Sequence, residues 1–533
     1  MRIFFLFVLL LSQALSAFSQ NTELCILQTG DVHGALFSHD FKTGQALPYG
    51  IDRFSSYVTQ MRSLYGNNLL LFDAGDNLQG QPPMYYYNYV DTLDTHLWAR
   101  VMNCLPLDAA AVGNHDIEAG HAVYDKLYAA CTFPILAANI VREETQEPYF
   151  VPYTVWEREG FKIAVLGLTT PFIPQWLPEH LWLGMEFLKL EESARLWASR
   201  IIEKEQPDIL IGLFHTGAGE VDGGSGENGA LAIAAKVPGF DLIYCGHDHR
   251  ARAEKVAGPG GDSVWLVNAG ANMRQVSEVK IRLARRPDGS VDKEVTGSLL
   301  QVSEMEIDPD WRDTFADDFN QVTAYVSSSV GILETPIRGA DALAGPSAFV
   351  DWIHQVQLER TGAQISFAAP LSVSADIPAG MLTVGDFFSW YPYENSLYVI
   401  EMSGYEIKNY LEYSYDGWIG GRRTPSYNFD SAAGIFYKVD KTKRLGERVS
   451  IASLSNGAPF METETYRVAL NSYRANGGGG HLEEGAGIPK EELAARVRWR
   501  GTGDFREDLI QWVRSRGSFS PAPIGAWRFV GAE

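Results

Sequence analysis

At 533 residues the chain exceeds what one compact core holds, so two domains behind a short leader are the expected plan. Its 46% hydrophobic and 21% charged residues are ordinary for a globular protein and exclude extensive disorder. A formal net charge of −22 excludes a binder of nucleic-acid polymers, which needs a basic stripe, but permits a small anionic ligand wherever bound cations supply local positive charge.

The first 19 residues read as a secretory signal. Arg2 gives a positive start, residues 3–11 are apolar, and Ala17-Phe18-Ser19 is a small-x-small cleavage site before Gln20. That run is too short to span a bilayer and no later stretch is long enough, so the expectation is an exported, periplasmic protein without a membrane span. From residue 23 to about 285, apolar runs at 24–27, 69–72, 109–112, 163–166, 209–213 and 242–244 each end in a polar, Gly-rich turn. Continuous apolar runs indicate strands covered on both faces, and helical stretches such as 193–205 between them make the pattern α/β. Residues 308–330 open on Asp308-Pro309 and predict a linker helix. Beyond it, Tyr- and Gly-rich mixed strands and helices predict a second, α+β domain over 331–533, leaving 20–307 as the first. The four cysteines, Cys25, Cys104, Cys131 and Cys245, show no CxxC pairing; Cys25 and Cys245 fall in apolar runs and read as buried thiols.

Five turns after apolar runs carry Asp, His or Asn: Gly30-Asp31-Val32-His33, Gly75-Asp76-Asn77, Gly113-Asn114-His115-Asp116, Phe214-His215-Thr216 and Gly246-His247-Asp248-His249. One such turn is a weak signal. Ligands of α/β sheets gather beyond the carboxyl ends of strands, so five turns distant in sequence can converge there. Oxygen and imidazole donors without thiolate favour Zn²⁺, Mn²⁺ or Fe. Two such ions about 3.5–4 Å apart hold a hydroxide for in-line attack on phosphorus.

In this order the turns resemble those of the calcineurin-like metallophosphoesterases, and the whole chain resembles the 5′-nucleotidase superfamily. The resemblance implies a metallophosphoesterase β-sandwich flanked by helices in four αββα layers, with a substrate-binding domain after it. It also implies a metal site of Asp31, His33, Asp76 and His249, and a second of Asp76 as bridge with Asn114, His215 and His247. His115 would face the phosphate as acid or charge stabiliser. Glu118 stands where relatives carry an Asp that orients this histidine, and His249 stands where some carry Gln.

In the second half, Asn471-Ser472-Tyr473-Arg474-Ala475-Asn476 with Gly477 to Gly480 is similar to a segment of the 2′,3′-cyclic-nucleotide 2′-phosphodiesterase/3′-nucleotidase branch. Pro425-Ser426-Tyr427-Asn428-Phe429-Asp430 and Tyr391-Pro392-Tyr393-Glu394-Asn395 also look like that branch. The implied base clamp sets Tyr473 against Phe429 or Tyr427, and Asn395, Asn476 and Gly478 are expected as further substrate-binding residues. Each stacked base is worth about 1–3 kcal/mol. The expected function is cyclic-nucleotide phosphodiesterase/3′-nucleotidase. The alternatives are a 5′-nucleotidase/UDP-sugar hydrolase, or a non-catalytic nucleotide-binding protein of the envelope. His39, His96, His121, His180, His354 and His481 fall outside the turns and read as structural or surface residues, and Asp73 and Asp116 as neighbours of ligands.

Overall fold

The computed structural model describes residues 21–222, 226–422 and 424–531; the expected signal lies outside the described residues. The chain falls into two compact units. Unit 1 takes residues up to Ala316 except Phe41–Gly44 and Pro174–Glu179, and unit 2 takes those two segments with Asp317–Glu533. The 308–330 stretch holds two helices, Pro309–Thr314 and Ala316–Val326, meeting at Phe315; Asp308 caps the first by accepting from Asp310 N and Trp311 N. No helix among the described residues is long and apolar enough to cross a membrane.

Unit 1 is a sandwich of two six-stranded sheets. In the first, Asn21–Thr29 pairs in parallel with Leu69–Asp73, which pairs with Ala109–Ala111. In the second, Phe161–Thr169, Ile209–His215 and Leu242–Tyr244 run parallel. The apolar runs form these central strands because both faces are covered. Leu24, Ile26, Leu70 and Phe72 of one sheet meet Ile163, Val165, Ile211 and Tyr244 of the other. Behind the second sheet, Ala164, Leu166 and Leu210 pack on Ala194, Ala198, Ile201, Ile233 and Ala234 of helices Leu190–Glu205 and Ala230–Lys236. Helix Ile51–Tyr65 buries Ile51, Phe54, Val58 and Met61 and packs on Leu69–Asp73, completing four αββα layers. The antiparallel hairpin Gln275–Arg285 and Val291–Gln301 has no continuous apolar run in its sequence. The first of these strands alternates buried and partly exposed residues, as an antiparallel strand covered on one face requires.

Parallel pairing sets the site. Thr29 pairs with Asp73 and His215 with Thr169, so the carboxyl ends of neighbouring strands finish level and their turns share one rim.

Unit 2 centres on a five-stranded mixed sheet that includes Ile365–Ala368, Leu397–Ser403 and Thr465–Asn471. Its core joins Ile365, Phe367, Ile400 and Val468 to Tyr410, Leu411 and Tyr415 of helix Gly404–Trp418.

Candidate metal centre

Asp31, His33, Asp76, His247 and His249 all have positive φ, between 49° and 71°. Non-glycine residues rarely adopt this left-handed backbone, which costs about 1–2 kcal/mol each. Cross-links between the turns hold it. Asp31 N donates to Gly75 O (2.8 Å), His33 N to Asp76 O (3.1 Å), and Asn272 N to Asp31 O (2.8 Å). His247 N donates to both carboxylate oxygens of Asp31, at 3.0 and 3.1 Å. Two glycines are dictated by close approach. A Cβ on Gly113 would strike the Asp76 carboxylate, and one on Gly75, itself at φ +91°, would lie 2.7 Å from Gly113 N.

The turns gather two sets of donors: Asp31, His33 and His249, and Asp76, His215 and His247, each with its ligand atoms within 4.8 Å of one another. In the first, His33 Nε2 lies 3.0 Å from His249 Nε2, and His249 Nε2 lies 3.5 Å from Asp31 Oδ1. In the second, His215 Nε2 lies 3.1 Å from both Asp76 Oδ2 and Asn114 Oδ1. The backs of two rings are occupied: His33 Nδ1 meets Gln79 O at 3.2 Å and His215 Nδ1 meets Ala74 O at 2.8 Å. Each Nδ1–H donates to its carbonyl and the Nε2 lone pair turns inward, the arrangement of a metal-ligating histidine. This donor set fits divalent ions.

Electrostatics reflect the crowding of these donors. Burial pushes the His33 ring down to about 4. Burial opposes charge on His215 too, but the Asp76 carboxylate outweighs it and lifts that ring to about 9. Asp76, disfavoured by burial, is nonetheless held well below the usual carboxylate range by His215 and His115.

His115 belongs to neither donor set. Its ring centroid lies 5.5 Å from that of His33, and its backbone N–H donates to Asp76 Oδ1 at 2.8 Å. Its Nδ1 meets Glu118 Oε2 at 2.5 Å, so the longer Glu arm reaches the ring one helical turn away. Asp116 and Asp73 are buried. Asp116 accepts four backbone N–H groups, from Asp76 (3.0 Å), Asn77 (2.8 Å), Leu78 (3.1 Å) and Gly113 (2.8 Å), tying two ligand turns together. Asp73 accepts from Gly75 N, Asn77 Nδ2 and Thr29 Oγ1 at 2.7–2.9 Å. Glu227, outside all five turns, lies 3.0 Å from His247 Nε2 and has no motif that marks it in sequence.

In unit 2, Tyr427 and Tyr393 are exposed, with rings 6.5 Å apart. Phe429, by contrast, stacks on Trp418 at 5.2 Å and 12°. Asn395, Asn476 and Gly478 all support the turn that carries Tyr473. Asn395 Oδ1 accepts from Ser472 Oγ (3.2 Å) and Tyr473 N (3.3 Å), and Asn476 Nδ2 donates to Ser472 O at 2.8 Å. Gly478 lies so close to the Tyr473 ring that a Cβ would come within 2.5 Å of it. The buried Arg474 guanidinium joins both loops: it pairs with Asp430 (2.7 Å) and donates to Tyr427 O (2.9 Å) and Gly478 O (3.0 Å). All four cysteines are free, with Cys25 and Cys245 buried. His96, His354 and His481 are buried in hydrogen bonds of their own, outside both donor sets.

Residues 25–251 match the family model for calcineurin-like phosphoesterases, and residues 326–484 match that for the 5′-nucleotidase C-terminal domain. The chain is a calcineurin-like phosphoesterase with a 5′-nucleotidase C-terminal domain. Membership makes it a metal-dependent phosphoester hydrolase. Among relatives of this phosphoesterase, the trifunctional nucleotide phosphoesterase YfkN of Bacillus subtilis is 27% identical over 86% of this chain, which spans only 36% of that longer protein. A 2′,3′-cyclic-nucleotide 2′-phosphodiesterase/3′-nucleotidase of Haemophilus influenzae is 24% identical, covering 97% of this chain and 89% of its own. The fold matches a Staphylococcus aureus protein assigned as a 5′-nucleotidase, with TM-score 0.79 at 21% identity over 96% of this chain and all of that one.

Proposed function

We propose that this phosphoesterase is an exported nucleotide hydrolase that acts on 2′,3′-cyclic and 3′-nucleotides with two divalent ions, Zn, Mn or Fe. The observation that carries the reading is the pair of donor sets, Asp31/His33/His249 and Asp76/His215/His247, set beside a histidine that belongs to neither. Bound there, divalent ions polarise phosphoryl oxygens and neutralise the charge that builds in an in-line displacement. Asp76 and Asn114 hold the ligand cluster together, and Asp116 fixes the turns that carry them. His115, protonated on both ring nitrogens, donates the Nε2 proton to the leaving oxygen as the P–O bond breaks, and Glu118, accepting from Nδ1–H, orients the ring and supports its protonated form.

The base is assigned to unit 2. Tyr473 and Tyr427 are the aromatic faces the reading selects, because Phe429 is stacked on Trp418. The preference for cyclic and 3′-nucleotides follows the Asn471–Ala475 segment and the names of relatives such as the Haemophilus enzyme.

The test is a panel of 3′-AMP, 5′-AMP, 2′,3′-cyclic AMP and a UDP-sugar, with Mn²⁺ or Zn²⁺ added. Highest kcat/KM on the cyclic and 3′ substrates supports the reading. Highest kcat/KM on 5′-AMP or the UDP-sugar replaces it with a 5′-nucleotidase, and nucleotide binding without turnover replaces it with a binding protein. Export is checked by fractionating cells that express the full chain; retention in the cytoplasm would overturn that part.

A further inference from the structure

The His247 ring, partly exposed, differs from the two buried rings of the donor sets, His33 and His215. His33 and His215 turn Nδ1 to a backbone carbonyl, whereas His247 turns Nε2 to a side chain, Glu227 Oε1, at 3.0 Å. The segment bearing Glu227 is fastened to the strand end that carries His215. Buried Thr216 donates its hydroxyl to Glu227 O (2.7 Å) and accepts from Gly229 N (3.1 Å). Ala230 N and Leu231 N then donate to Gly217 O and Ala218 O, at 3.2 and 2.9 Å. The carboxylate is thus delivered to the ring by hydrogen bonds at Glu227 and over the four residues that follow it. The two rings of the second donor set, His215 and His247, stand edge to face with centroids 5.4 Å apart.

We infer that Glu227 is a positioning residue for His247: its carboxylate accepts the Nε2–H and holds the ring so that Nδ1 serves the Asp76/His215 set. A carboxylate on the back of a ligating imidazole fixes its tautomer and orientation and raises its basicity. The same contact assigns opposite nitrogens to the metal within one set, Nε2 from His215 and Nδ1 from His247. Glu227 is half exposed, with 32% of its side chain accessible against 12% for His247, so it acts from the solvent side of a nearly buried ligand. The inference rests on the metal-ligand reading above.

The test uses the full chain with Glu227→Ala and Glu227→Gln, loaded with Zn²⁺ or Mn²⁺ and titrated against a competing chelator, with metal content measured by elemental analysis. Loss of such a partner weakens metal binding about 10–100-fold. The expected result is that weakening at one of two sites in Glu227→Ala, with the other site unchanged. Glu227→Gln should lose less, because its amide oxygen still accepts the N–H in the same volume. Unchanged affinities in Glu227→Ala would overturn the inference, as would equal weakening of both ions. Complete and equal loss of one ion in both variants would also overturn it, by making Glu227 a ligand. Wild-type protein that binds no metal would instead overturn the reading beneath it.

Discussion

Replacing Glu118 with Gln tests whether His115 works as one half of a pair. The 2.5 Å contact to Nδ1 is a charge-assisted hydrogen bond whenever the ring carries a proton, and the amide leaves a neutral bond of similar shape. Charge-assisted bonds are worth about 1.5–3 kcal/mol and neutral ones about 0.5–1.5, so the exchange removes about 1–1.5 kcal/mol of support for the protonated ring. That is about tenfold in rate. The side chains of His115 and Glu118 are 28% and 16% accessible, so solvent screening makes tenfold an upper bound. His115→Ala removes the acid itself and should cost about 10²–10⁴ in kcat. The assay compares kcat on 4-nitrophenyl phosphate, whose leaving group needs no proton, with kcat on a nucleotide, whose leaving group does. Both variants should keep two metals and lose far more on the nucleotide. His115→Ala/Glu118→Gln should be no slower than His115→Ala, because the partner has nothing left to support. Equal losses on both substrates, or an additive double variant, would refute the acid role and the pairing respectively.

Asp76→Asn should lower bound metal and abolish turnover while the chain stays folded, checked by elemental analysis and circular dichroism; two metals with normal rates would remove Asp76 from the ligand set. Tyr473→Ala should raise KM for nucleotides by the equivalent of about 1–3 kcal/mol of stacking while hydrolysis of 4-nitrophenyl phosphate changes little. Equal losses on both substrates would mean misfolding, and no loss would return Tyr473 to a structural role. His354, buried between the Ser366 and Ser431 hydroxyls, is pushed by burial down to about 3. Its folded pKa lies below its unfolded value of 6.5, so the unfolded chain takes up a proton first. Its contribution to stability is therefore complete above pH 6.5 and falls between there and about 3, by about 1.4 kcal/mol per pH unit. His354→Gln should flatten the pH dependence of urea unfolding by one proton, and an unchanged slope would refute this.

The amino-acid sequence by itself determined the central strands and the family. A parallel strand covered on both faces must be apolar along its whole length, so 69–72 and 209–213 announce themselves, and the polar turn after each marks where a ligand can sit. Antiparallel strands covered on one face alternate buried and exposed residues and leave a weaker trace, which is why the hairpin that Gln275–Arg285 opens gave no such signal. Tertiary structure alone decided which donors meet. His33 and His249 are 216 residues apart, and their contact depends on level strand ends and left-handed turns that composition does not encode. The same holds for Asp116, whose burial among four N–H donors makes it a clamp between turns, and for Phe429, drawn onto Trp418 while Tyr427 stays exposed. It holds most plainly for Glu227, which nothing in its local sequence sets apart and which the Thr216 hydroxyl and the backbone bonds beside it bring to His247. Sequence records which groups a chain owns; distance and direction between groups far apart arise only when the sheets pack.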